Sequence, residues 1–178
     1  VCVQKAHELP DTPENQKLKR FKGRVVYGGH RVKDQSGQAA LFQELHSQPA
    51  TVAASRACDF YGLLPGHNSQ QADADMAYTQ SYFKGTPTFV RLPRHRWPKH
   101  FEGMYDPVCP MELALYGHPE SGAYWEEHCD QVLRDQGFIL IDEWAGTYWH
   151  PKLRAMVIVY VDDFKVAAPE AAIPKVWE

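Results

Sequence analysis

Ala155-Met156-Val157-Ile158-Val159-Tyr160-Val161 is an unbroken apolar run that closes on two adjacent aspartates, Asp162 and Asp163, before Phe164-Lys165-Val166-Ala167 resumes an extended pattern. β-Branched and aromatic residues dominate the run, which predicts the clearest strand of the chain, then a turn and a partner strand. The ending is physically odd. A strand buried on both faces ordinarily stops at Gly, Asn or Pro, and two like charges at a hairpin tip repel each other unless a cation joins them. Two readings stay open: a solvated β-turn, for which Asp is well suited, or a divalent-metal site on a rigid strand end.

A metal site needs a further carboxylate from elsewhere, because Mg²⁺ takes oxygen ligands and is held by one or two carboxylates together with substrate phosphates. The stretch from Gln70 to Tyr82 reads as a short strand that becomes helical around Met76-Ala77-Tyr78, with Asp73 at the strand end. Asp75 is the rival, although an acidic residue at a helix N-terminus is explained more simply by the helix dipole. Two ions about 3.5–4 Å apart, bridged by such carboxylates, can activate a 3′-hydroxyl and neutralise a leaving pyrophosphate in an in-line phosphoryl transfer.

Charge is distributed to match. The net charge is −3, which argues against a dedicated nucleic-acid binder, but residues 1–100 carry 14 Lys/Arg against 8 Asp/Glu and residues 101–178 carry 5 against 14. A polyanion would meet the first half and a cation the second. The basic residues bunch as Lys17, Lys19, Arg20, Lys22, Arg24, Arg31 and Lys33, and again as Arg91, Arg94, Arg96 and Lys99. Either cluster alone reads as a solvated face. Cys2, Cys58, Cys109 and Cys129 show no C-x-x-C pair and no His at zinc spacing, so they read as reduced thiols. No segment is apolar enough to span a membrane or to serve as a signal peptide, which places the chain inside the cell.

The remaining pattern predicts a polar lead-in over 1–16 and a basic strand over Phe21–Tyr27, stopped by Gly28-Gly29 and returning through His30–Gln35. A helix runs from Pro49 to Gly62 with Ala53, Ala57 and Phe60 on its apolar face. Residues Gly85–Pro110 are mostly loop. A second helix, Ser121–Gln136, carries the stripe Trp125, Cys129, Val132 and Leu133, and strands follow at Phe138–Trp144 and Thr147–His150. The order predicts an α+β fold of one domain, with helices against one face of a mainly antiparallel sheet.

These residues also match a family. Tyr160-Val161-Asp162-Asp163 resembles the catalytic box of reverse transcriptases, and Asp73-Ala74-Asp75-Met76-Ala77-Tyr78 resembles their D-x-x-x-A-[FY] motif. Between them, Ala114-Leu115-Tyr116-Gly117-His118-Pro119-Glu120-Ser121-Gly122-Ala123-Tyr124-Trp125 is similar to the A-L-Y-G-L-K-Q-A-P-R-A-W signature of copia-type LTR retrotransposon polyproteins, and Lys22-Gly23-Arg24-Val25-Val26 resembles their K-A-R-L-V fingers motif. The four motifs, in family order, span roughly residues 20–170.

The resemblance implies the fingers and palm of an RNA-directed DNA polymerase, an antiparallel palm sheet backed by helices, working in the cytoplasm and within virus-like particles. Asp73, Asp162 and Asp163 would be the palm carboxylates, with Asp73 and Asp162 the principal ligands of two Mg²⁺ ions, Mn²⁺ being the substitute. Lys22 and Arg24 would reach the triphosphate of an incoming dNTP, and Tyr78 would lie under the sugar as a gate against a 2′-hydroxyl. Gly117 would let the backbone approach the RNA or DNA template and its primer, with Tyr160 and Glu120 beside the substrate. Thumb and RNase H regions lie outside residues 1–178, which makes the chain read as a fragment. Glu120, Gly122 and His118-Pro119 depart from the family pattern, and a carboxylate at 120 aimed into the site would repel phosphates. Two rival readings are a decayed remnant that keeps the fold and at most binds nucleic acid, and a generic two-metal phosphohydrolase. The latter accounts for the carboxylates but not for the Lys22/Arg24 strand or the Tyr116-Gly117 turn.

Overall fold

The computed structural model describes residues 2–5, 22–42 and 49–178 and, within them, the side chains from Val26 onward. Strands β1 (Cys2–Lys5) and β2 (Lys22–Val25) pair antiparallel, with Val3 opposite Arg24 and Lys5 opposite Lys22. The basic strand thus takes its partner from the segment expected to be a polar lead-in, not from His30–Gln35. That segment is instead occupied locally. Asp34 Oδ1 accepts the backbone N–H groups of Ser36 and Gln38 and the Ser36 hydroxyl, closing a tight turn that bridges Lys33 to Ala39.

Helix α1 (Val52–Gly62) begins at Thr51, whose hydroxyl accepts the Ala54 N–H. Its buried face is Ala54 and Cys58, not the expected Ala53 and Phe60; Phe60 is 70 % exposed. Alanines occupy adjacent stripes of this helix, so its own periodicity leaves the choice open. The choice falls on Ala54 and Cys58, which pack against Met156, Ile158 and Ala167.

Strand β3 (His67–Asp73) follows, then the two-residue strands β4 (Phe89–Val90) and β5 (Cys109–Pro110), which pair with each other across the loop expected there. Helix α2 (Ser121–Asp135) matches its expected span, although Tyr124 is buried and Val132 is 46 % exposed. Strands β6 (Ile139–Leu140), β7 (Thr147–His150), β8 (Ala155–Tyr160) and β9 (Asp163–Pro169) and a one-turn helix α3 (Ile173–Val176) complete the described chain.

The main sheet has the order β3-β9-β8-β7-β6, and every pairing is antiparallel. The α+β class is as expected, but helices cover both faces rather than one. Met156, Ile158 and Ala167 face α1, while Val157, Val166 and Ala168 face Phe138, Tyr148, Ile173 and Leu133 of α2. Burial on both sides is why β8 reads as continuous apolar sequence instead of alternating. Among the described residues, no helix is long and apolar enough to cross a membrane.

Candidate active site

Tyr160 stands opposite Asp163 in the β8–β9 register, so the hairpin loop is only Val161-Asp162. Val161 has φ 59°, a left-handed conformation that a β-branched residue rarely adopts. Two hydrogen bonds over-determine it. The Trp125 indole N–H of α2 donates to the Val161 carbonyl, and the Ala74 N–H donates to the Asp162 carbonyl at 2.7 Å. Trp125 is 5 % exposed and packs with Ala77 and Cys129, so the tip is anchored from the helix side.

The same register carries Asp73, at the end of β3, to a position directly across from Asp163. Directly opposed residues of an antiparallel ladder point to the same face, here the α1 face. Asp73 and Asp163 line a cleft of about 530 Å³ together with Thr51 and Ser55 of α1, Gln71, Tyr160 and Lys165. Lys165, two residues along from Asp163, is committed elsewhere: its ammonium donates to Ser55 Oγ at 2.8 Å and to both Asp59 oxygens at 2.9 and 3.0 Å. Among the described residues none of the three aspartates has an ion-pair partner.

Asp162 is half-buried in the turn, where its charge bears on Tyr78. Asp163, rather than Asp162, is therefore the carboxylate across from Asp73. Among the described residues no group of three or more His, Cys, Asp or Glu is drawn together as a metal cage. What stands ready is a pair of exposed carboxylates on one face and a third in the adjoining turn, a hard-oxygen donor set of the type Mg²⁺ takes. Asp75 is exposed, and its backbone carbonyl accepts from the Gln80 amide at 2.7 Å.

The chain after Asp73 does not enter a helix at once. Met76 lies at φ 52°, and only one 3₁₀ turn, Ala77–Gln80, follows. Tyr78 is half-buried in that turn and stacks on Tyr116, with ring centroids 4.3 Å apart and planes 27° from parallel. Burial raises its phenol pKa, with smaller contributions from the Asp162 and Tyr116 charges. Tyr78, Trp125, Cys129, Val159 and Val161 line a small apolar cavity on the α2 side of the hairpin.

The Tyr116–Gly122 turn is tied to α2 by Ser121, which is wholly buried: its hydroxyl donates to the Leu115 carbonyl at 2.8 Å and accepts the Leu115 N–H at 3.0 Å. Gly117 has φ +92°, and a Cβ there would stand 2.2 Å from the Tyr27 carbonyl oxygen. Gly117 lies close against the chain's own Tyr27, whose N–H donates to the Tyr116 carbonyl. Gly117→Ala combines left-handed strain with a collision against backbone and should cost about 2–4 kcal/mol, a melting drop of about 5–15 °C. A loss under about 1 kcal/mol would mean that the two segments are not docked.

Glu120 is turned back onto α2. Its Oε2 accepts the Tyr124 hydroxyl at 2.9 Å, and burial together with this carboxylate pushes the Tyr124 phenol up to about 12. His118 is 4 % exposed among the rings of Tyr27, Phe42 and Phe83, and its Nδ1 accepts the Glu120 N–H at 3.2 Å. Burial holds its pKa below the ordinary histidine value. Its buried role was not legible in the sequence, because the three rings come from separate segments. Lys22 and Arg24 lie on β2, but their side chains are outside the described residues, as is the cleft-facing role expected of them.

No family model matches this chain, and no curated protein and no solved structure matches it.

Proposed function

We propose that this chain is the fingers and palm of an RNA-directed DNA polymerase of the copia retrotransposon type, joining a deoxynucleotide to a primer 3′-hydroxyl. The observation that carries the reading is the meeting of Asp73 with Asp163, ninety positions apart in sequence, across one sheet end beside the Asp162 turn. Unpaired carboxylates gathered on a rigid ladder are costly unless a cation joins them. Asp73, Asp163 and Asp162 would hold two Mg²⁺ ions, which when bound supply charge neutralisation and oxygen activation for in-line transfer. The ladder fixes the Asp73 and Asp163 backbones, the Ala74–Asp162 hydrogen bond fixes the turn, and the Tyr78–Tyr116 stack offers a flat wall beside it. Glu120 is engaged by the Tyr124 hydroxyl, a contact that leaves one of its oxygens committed within the chain.

A second reading, an inert remnant that binds nucleic acid, is favoured by the lack, among the described residues, of a preassembled three-carboxylate cage. Primer extension on an RNA template, with dNTP and Mg²⁺, separates the two. Extension that excludes ribonucleotides, and a Tyr78→Ala variant that admits them while still folding, is the result expected of the polymerase. A chain that binds the primed template without extending it is the remnant. Unchanged sugar selectivity in a folded, active Tyr78→Ala variant would remove the gate.

A further inference from the structure

The Gly85–Pro110 excursion takes no part in the aspartate site, yet its tip carries charge of one sign only. Residues 91–100 hold Arg91, Arg94, Arg96 and Lys99 with His95 and His100 and no Asp or Glu, in a protein of net charge −3. Arg91 is paired with Asp106 at 2.7 Å. Arg94, Arg96 and Lys99 are exposed, and among the described residues none has a carboxylate partner.

The excursion is also built to a shape. The Trp97 indole N–H donates to the Leu92 carbonyl at 2.9 Å, its ring meets the buried Phe101 edge-on at 6.2 Å, and the Arg94 guanidinium lies 5.5 Å above the same ring. At its foot, Met111 N–H donates to the Thr88 carbonyl, Phe83 N–H to Glu112 and Ala114 N–H to Ser81, and the chain then runs directly into Tyr116. The basic tip and the Tyr78–Tyr116 wall are thus successive parts of one continuous strand of chain.

We propose that this excursion grips single-stranded nucleic acid: Arg94, Arg96 and Lys99 neutralise backbone phosphates, and the half-buried Trp97 with its overlying guanidinium presents a plane on which an unpaired base stacks. This goes beyond the polymerase reading, because a surface of this chemistry works whether or not the aspartates carry catalysis.

The test is fluorescence anisotropy of a labelled oligodeoxythymidine and an oligouridine, each of about 20 nucleotides, titrated with the whole chain. In the Arg94→Gln, Arg96→Gln, Lys99→Gln triple variant, affinity should fall at least tenfold, and the slope of log affinity against log salt should flatten by about 2, at about 0.7 per cation. Trp97→Phe should remove part of the tryptophan quenching that accompanies binding. The Asp73→Asn, Asp163→Asn variant should bind the oligonucleotides at least as tightly, which keeps failure of the grip distinct from failure of the catalytic reading. Affinity within twofold of the parent in a folded triple variant would overturn the proposal. So would binding to phosphatidylglycerol vesicles with no binding to either oligonucleotide. Should the triple variant fail to fold, the three single variants carry the same test, each expected to flatten the slope by about 0.7.

Discussion

Replacing Asp73 and Asp163 together by asparagine should abolish Mg²⁺-dependent primer extension, by at least about a thousandfold, while raising the melting temperature in metal-free buffer by about 1–3 °C. The opposed signs are the point of the experiment. The two carboxylates are directly opposite in the β3–β9 ladder and share a face, Lys165 is held away by Asp59 and Ser55, and among the described residues no cation pairs with either aspartate. Like charges so placed destabilise a sheet, and neutral amides of nearly the same shape relieve the repulsion. Added Mg²⁺ should stabilise the parent chain and leave the double variant unmoved, because a ligand stabilises only the protein that binds it. Loss of activity accompanied by an equal loss of stability would mark the aspartates as structural turn residues. An unchanged melting curve with Mg²⁺ in the parent would remove the metal site.

Trp125→Ala should cost about 3–5 kcal/mol, enough to unfold a marginal domain, and Trp125→Phe about 1–3 kcal/mol with most of the packing retained. The indole fills the contact among Ala77, Cys129, Val159 and Phe164, and its N–H holds the Val161 carbonyl at the hairpin tip. Phenylalanine keeps the first role and loses the second, leaving a strained β-branched residue without its tether. Chemical denaturation of both variants separates packing from hydrogen bond, and under the proposed function Trp125→Phe should lose more activity than stability, because the tip it frees carries Asp162. Equal stability of Trp125→Phe and the parent would show that the tip holds its conformation unaided.

Some of this structure was legible before any tertiary contact was known. The β8 and β9 strands follow from an apolar run and its sequel, the bounds of α2 from periodicity between Ser121 and Gly137, and the loop of Gly85–Pro110 from its prolines, because each is set by interactions a few residues long. Asp73, Asp162 and Asp163 could be singled out as unusual because like charges at a strand end are locally unfavourable. Their convergence was an expectation, and of the three the β3–β9 register sets only Asp73 and Asp163 opposite each other. That register also sets Asp163 rather than Asp162 across from Asp73, a one-residue matter that local sequence cannot settle, since each step along a strand exchanges its faces.

The burial of Ala54 and Cys58 in place of Ala53 and Phe60, the pairing of β2 with Cys2–Lys5, and the sealing of His118 among three aromatic rings depend on partners far along the chain. So does the left-handed backbone at Val161, which no local preference favours and which Trp125 and Ala74 hold from two other segments. Sequence by itself placed the β8–β9 hairpin and the bounds of α2, and it singled out the residues of unusual charge. The tertiary structure decided which faces are buried and which carboxylates meet, because those depend on free energies of contact between segments that propensity and periodicity do not contain.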